Sequence, residues 1–366
     1  MPSNQNASKG SFVGSTYPVI DVFSGMGCAS LGFKKAGFQI AAALELNPLR
    51  CRIYEKNIGL KPIQSDVMKI NGKQLLSKAN LKKHDKFCMI GCPPCQSFSK
   101  LSDTRGIDAL KDPRSKYVNK FAKLVVETSP MAVIFENVPW MIKGPGKTFF
   151  QQYVKRLKKA GYVTFSGTVN ASDFGVPQNR LRVVGISIKK KFVDKNVEEK
   201  IRKFYETKNK NPKTVRETIR DLKPLQSGQI DVNDSLHFSR NHNPKVLNMI
   251  KHIPKNGGSR RDLPRRLWLD CHKRLDHGAD SVYGRMSWDR PSPTITGRCT
   301  TPACGRFIHP TQNRGITARE AARLQTIPDS FEMDCDNRQD LEEMIGDAVP
   351  VLLAQKVAEN LLKILP

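Results

Sequence analysis

A chain of 366 residues with 39% hydrophobic content is long enough for one large domain or two smaller ones around a real core. Its formal charge of +27, from 61 Lys+Arg against 34 Asp+Glu, exceeds what a solvated surface needs and points to a polyanionic partner. Nine cysteines without a regular framework exclude a disulfide scaffold, and no apolar run reaches membrane-spanning length.

The first fifteen residues are polar and rich in Ser, Asn and Gly, so a tail is expected over 1–15 rather than a signal peptide. A soluble cytoplasmic protein without membrane contact follows, nucleoid-associated if prokaryotic. A basic amphipathic helix of the membrane-binding kind is not evident, which leaves nucleic acid as the expected partner.

From residue 16 to 189 short apolar runs alternate with longer amphipathic ones, the pattern of a βαβ architecture. Strands are predicted at Pro18–Phe23, Ile40–Leu46, Phe87–Ile90, Ala132–Glu136, Val163–Val169 and Arg182–Ile188. Helices are predicted at Ala29–Ala36, Leu49–Asn57, Ser115–Thr128 and Thr148–Ala160. Residues 190–285 break the pattern. They are rich in Lys, Arg, Asn and Pro and read as a smaller irregular domain. Over 286–366 order returns: Thr317 and Glu320 form a capping box, and apolar residues between Val349 and Leu365 recur at helical period.

Four places along the chain carry chemistry. The first is Phe23-Ser24-Gly25-Met26-Gly27, a glycine turn at the end of a strand, where open α/β sheets place their ligands. It is not a dinucleotide fingerprint, because Ser30 stands where the third glycine belongs. Glu45 ends the next strand, with Leu46 beside it, and can bind both hydroxyls of a ribose. Asp66-Val67 follows at another strand end, where a carboxylate can accept an adenine amino proton. Ribose and adenine without a pyrophosphate describe S-adenosylmethionine better than NAD.

The second is Cys92-Pro93-Pro94-Cys95-Gln96 after the strand Phe87–Ile90. Two prolines stiffen the turn and aim Cys95, as a nucleophile requires. The spacing of Cys92 and Cys95 also permits a redox pair or half a zinc site, for which Cys299 with Cys304 is the only other close pair, and a plain buried loop is a further reading. The third is Glu136-Asn137-Val138, which emerges at the same sheet edge as Cys95, where a carboxyl is partly desolvated. The fourth is Gln178-Asn179-Arg180-Leu181-Arg182, with two arginines entering another strand.

Taken in order, these motifs resemble those of the C5-cytosine DNA methyltransferases. Arg290-Pro291-Ser292-Pro293-Thr294-Ile295-Thr296 and Gly346-Asp347-Ala348-Val349-Pro350 complete the set, which covers residues 18–190 and 284–366. Asp347 departs from the family's usual Asn. The resemblance implies an S-adenosylmethionine-dependent, Rossmann-like α/β fold, a mixed sheet with helices on both faces, and a smaller target-recognition domain over 190–285. It implies a cofactor site of Phe23, Ser24, Gly25, Met26, Gly27, Glu45, Leu46, Asp66, Val67, Pro93, Asp347, Ala348 and Val349. Cys95 would attack carbon 6 of cytosine, Glu136 would bind the N3/N4 edge, Arg182 would hold O2, and Arg180 would support the catalytic set. Residues 96–115, with Gln96, Ser99 and Arg114, would form the loop that closes over a base rotated out of duplex DNA.

No metal is implied. The compact organisation resembles prokaryotic modification enzymes, acting as a monomer with a restriction endonuclease as a functional partner. The pairs Arg260-Arg261, Arg265-Arg266 and Lys273-Arg274 suit phosphates or guanine edges. Two alternatives remain: a tRNA cytosine-5 methyltransferase, against which stands the lack of a Cys-Phe-Thr motif, and a non-catalytic DNA-binding module.

Overall fold

The computed structural model describes residues 17–94, 116–144, 146–273 and 281–366. Its centre is a seven-stranded sheet of order β3-β2-β1-β4-β5-β7-β6. The strands are β1 (Pro18–Val22), β2 (Gln39–Glu45), β3 (Ile63–Gln64), β4 (Cys88–Gly91), β5 (Ala132–Asn137), β6 (Tyr162–Asn170) and β7 (Leu181–Lys189). β1 to β5 pair in parallel, whereas β7 runs antiparallel to both β5 and β6. One edge of the sheet therefore gathers the carboxyl ends of β1 to β5 and the amino end of β7.

The apolar runs that mark the central strands are buried on both faces, as parallel strands usually are. Successive residues alternate between two cores. Val19, Cys88, Ile90, Ala132 and Ile134 face one, and Ile20, Met89, Val133 and Phe135 face the other. Helices Cys28–Lys35, Lys195–Glu206 and Val351–Leu362 cover the first face; Gly72–Lys78, Lys116–Thr128 and Lys147–Lys159 cover the second. The periodicity of the C-terminal helix predicts one buried face, and that face packs on the first core beside helix Cys28–Lys35. It lies very close to helix Cys28–Lys35: a Cβ on Gly32 would stand 2.6 Å from both Ala354 Cβ and Val351 O.

The predicted strands and helices of the first half are present with ends shifted by a residue or two. The two-residue strand β3 and helix Gly72–Lys78 add to them. Helix Lys195–Glu206 falls in the stretch read as irregular, yet it buries Val197, Ile201 and Phe204 in the first core. A third core mixes Val215, Ile219, Leu236 and Phe238 with Met286, Ile295, Phe307, Leu324 and Ile345. A small antiparallel pair, β8 (Ile230–Asp231) and β9 (Asp234–Phe238), belongs to this part. The capping box at Thr317 and Glu320 is present in full. Among the described residues no helix is long and apolar enough to cross a membrane.

Candidate active site

The glycine turn leaves β1 with three left-handed residues, Phe23 (φ 68°), Gly25 (φ 56°) and Gly27 (φ 101°). An added Cβ on Gly25 meets nothing within 4 Å, so this part of the loop faces open space. On Gly27 the same atom would approach Ile58 at 2.9 Å, so this glycine lets the loop sit down on helix Pro48–Ile58. Glu45 clamps the turn: one carboxylate oxygen accepts from Gly25 N and the other from Asn47 N, both at 2.9 Å. Each oxygen keeps a lone pair for a ligand.

Leu46 and Met68 are 59% and 44% exposed. Large apolar groups standing in water at strand ends, beside Glu45 and Asp66, make a platform for a flat apolar ring. Asp66 Oδ1 accepts from Met68 N at 2.9 Å and caps the turn Val67–Lys69. Behind the platform the Phe23 ring packs edge-on against Tyr117 at 5.9 Å. Below it Asp21 is fully buried; its Oδ2 accepts from Ser30 at 2.6 Å, and Oδ1 has no partner among the described residues. Burial pushes the Asp21 carboxyl up to about 7 despite the Ser30 bond. Ser30 also bonds Tyr54 at 2.7 Å, which accounts for the serine in the third-glycine position. Open space, two carboxylates and an apolar platform fit S-adenosylmethionine, with Ser24 and Met26 inside the turn.

Cys92, Pro93 and Pro94 continue from β4 at the same edge. Cys95, Gln96, Ser99 and Arg114 lie outside the described residues. The approach to Cys95 is nevertheless held: the Asn137 side-chain amide donates to Pro93 O at 3.0 Å, and its Oδ1 accepts from Val138 N. Glu136 stands opposite Val184 across the β5–β7 pair. Its Oε1 lies 3.0 Å from Arg182 Nε, both side chains being largely covered. That contact is an ion pair without an aligned hydrogen bond, since Oε1 accepts none among the described residues. An apolar cavity of about 20 Å³ lies against Glu136, lined partly by Ile90, Cys92 and Val349.

Arg180 has a different place from its neighbour Arg182. It is 2% exposed, and its guanidinium donates to Ile295 O (2.7 Å), Gly346 O (3.0 Å) and Ala348 O (3.1 Å). Gln178, absent from the predicted site, accepts from Ile295 N and donates to Leu324 O and Gln325 Oε1. These two side chains tie the entry to β7 to the segments around Ile295 and Ala348. Asp347 pairs with Arg50 at 2.9 Å, which links the C-terminal motif to helix Pro48–Ile58. Sequence reasoning missed Asn137 and Gln178 as binders of backbone, although both stand inside motifs it had marked. Nothing in the pattern marked Arg50 or Tyr54.

One expectation is corrected. Arg260 is fully buried, with its guanidinium 5.0 Å from the Trp268 ring, so it is no phosphate or guanine contact. Arg261, Arg265 and Arg266 are exposed.

With this geometry in view, the chain matches the profile of the family described as C-5 cytosine-specific DNA methylase over residues 17–363. It is 32% identical to the type II methylase M.HgiDII of Herpetosiphon aurantiacus over 95% of both chains. It is 34% identical to the type II methyltransferase M1.HphI of Haemophilus parahaemolyticus, covering 94% of this chain and 86% of that one. In fold it resembles a DNA modification methyltransferase encoded within an E. coli prophage, with TM-score 0.73 and 22% identity over 95% of this chain and 99% of that one.

Proposed function

Because the chain belongs to the C-5 cytosine-specific DNA methylases, we propose that it methylates cytosine within a short duplex sequence through a covalent Cys95 adduct. The juxtaposition that carries this reading is the Glu136–Arg182 pair on the edge where Asn137 holds Pro93, two residues before Cys95. A nucleophile aimed from the proline turn then works beside a carboxylate and a guanidinium.

Carbon 5 of cytosine is a weak nucleophile. Addition of the Cys95 thiolate at carbon 6 turns the ring into an enamine, whose carbon 5 can take a methyl group. Glu136 binds the N3/N4 edge and supports N3 protonation, while Arg182 holds O2. Loss of the carbon 5 proton and expulsion of Cys95 restore the aromatic ring. Arg180, committed to backbone carbonyls, acts as a positioning residue. S-Adenosylmethionine, when bound, supplies an electrophilic methyl group. Phe23, Gly25, Glu45, Leu46, Asp66 and Val67 would hold its adenosine, and Pro93, Asp347, Ala348 and Val349 would close the other wall.

A base inside a duplex is out of reach, so the target is rotated into this edge. Within residues 190–285, the part after helix Lys195–Glu206, which itself packs on the catalytic sheet, would read the sequence, with 16–189 and 286–366 forming the catalytic part. The type II relatives support a modification role; the enzyme would act as a cytoplasmic monomer, with a restriction endonuclease as its functional partner. The test is methyl transfer from labelled S-adenosylmethionine to mixed-sequence duplex DNA and to tRNA, with bisulfite mapping. Label at cytosines of one short DNA motif, abolished by Cys95→Ser with DNA binding retained, is the expected result. Label in tRNA alone, or near-normal turnover by Cys95→Ser, would overturn the reading.

A further inference from the structure

The sheet edge opposite the active site carries a concentration of lysine that catalysis does not use. Lys82, Lys83 and Lys86 lie in the loop leading to β4, and all are exposed. Lys158 and Lys159 end the helix before β6. Lys190 and Lys191 follow β7. Backbone bonds stitch these turns together: Met131 N donates to Phe87 O, Lys189 N to Met131 O, and Lys190 N to Gly161 O.

Ordinary explanations cover only part of this. Lys158 and Lys159 complement a helix carboxyl end. The lysines of the other two turns have no such role, and among the described residues none of them forms an ion pair. The nearby acids are already occupied by backbone. Asp85 accepts from Lys82 N at 2.6 Å, and Asp194 caps helix Lys195–Glu206 through Val197 N. Burial holds Lys189 below its usual range, and the charges that add to this are Lys191 and Lys83. The lysines outnumber these two acids, so like charges are crowded at this edge, a cost that a polyanion would reduce.

We infer that this edge is a second, sequence-independent site for the backbone of duplex DNA. The lysines span β4, β5, β7 and β6, three strand spacings or roughly 14 Å, comparable with the width of about 12 Å across a major groove. They can therefore meet phosphates on both of its walls. Single-stranded nucleic acid would call for exposed aromatic platforms. Here Phe87 and Tyr162 are buried, and Lys191 lies over the ring of Phe192. Lying opposite the catalytic edge, the site would hold a second DNA segment while the first is being modified, and so favour direct transfer between segments.

The test compares the full-length protein with the variant Lys83→Gln, Lys86→Gln, Lys190→Gln, Lys191→Gln. Sedimentation and anisotropy are run with a labelled duplex of about 12 base pairs. The wild type is expected to bind a second duplex at low salt, losing it about 100-fold between roughly 50 and 200 mM salt if four phosphates are contacted. The variant should keep the first duplex and lose the second. Equal stoichiometry and salt dependence in the two proteins would overturn the proposal, as would equal capture of single-stranded RNA at this edge. Absence of methyl transfer in both, with the second duplex still lost in the variant, would count against the catalytic reading and leave this one standing.

Discussion

Replacing Arg180 with Met keeps most of the side-chain volume and removes the donors. Three backbone carbonyls, of Ile295, Gly346 and Ala348, would lose charged hydrogen bonds of 2.7–3.1 Å in a site that is 2% exposed. A buried acceptor left unsatisfied costs about 1–3 kcal/mol, so the loss should be about 3–6 kcal/mol after partial relaxation. That is a large fraction of the roughly 5–15 kcal/mol that holds a typical domain. Arg180→Lys retains a charge without the fork and should recover about half of the loss. Urea denaturation of both variants reads the stability. Because Ala348 belongs to the proposed cofactor wall, KM for S-adenosylmethionine should also rise in the variants that fold. Arg180→Met within about 1 kcal/mol of wild type would refute the claim that this guanidinium organises the wall.

Asp21 titrates near 7 when folded and near 4 when unfolded, so between those values the folded state holds the extra proton. Stability should fall as pH rises from about 4 to 7, by at most about 4 kcal/mol, and Asp21→Asn should flatten that slope in pH-dependent denaturation. Gly32→Ala would press a methyl group against Ala354 and the backbone of Val351 at 2.6 Å, costing about 1–3 kcal/mol by thermal unfolding; an unchanged Tm would contradict the packing described. Asn137→Ala frees Pro93 O, and the lost bond should lower single-turnover rates about tenfold while cofactor affinity, read by calorimetry, stays near wild type. Wild-type turnover would remove Asn137 as a positioning residue.

Much of the catalytic half was legible because its determinants are local. A buried parallel strand reads as an apolar run, and a glycine turn or a proline pair is visible without knowing the fold. Long-range pairings were not legible. Gln178 and Gln325 meet across 147 positions of sequence, and Arg50 meets Asp347 across 297. No periodicity encodes either contact. Helix Lys195–Glu206 was readable in principle, since Val197, Ile201 and Phe204 sit on one helical face. The surrounding lysines and glutamates hid that stripe within a segment judged by its overall charge.

The same charge needs to be divided before it is read as affinity for DNA. Arg260, Arg285 and Arg314 are among the largest fully buried side chains. Arg285 offers five N–H donors and places them on the carbonyls of Ile250, Ile253, His309 and Gln312 and on Asn313 Oδ1. Burial alone pushes this group down to about 10, and no carboxylate is among its acceptors. Arg314 donates to Leu225 O and Gly315 O and pairs with buried Glu320, whose carboxyl is held at about 2 by Arg314 despite the burial that opposes it. A loop-rich region has few ladders to satisfy its carbonyls, and buried backbone acceptors must be paired. Guanidinium groups do that work between residues 250 and 320. Part of the basic composition is therefore internal scaffolding, and the charge available to a polyanion is the exposed remainder, such as Arg261, Arg265, Arg266 and the lysines of the opposite edge.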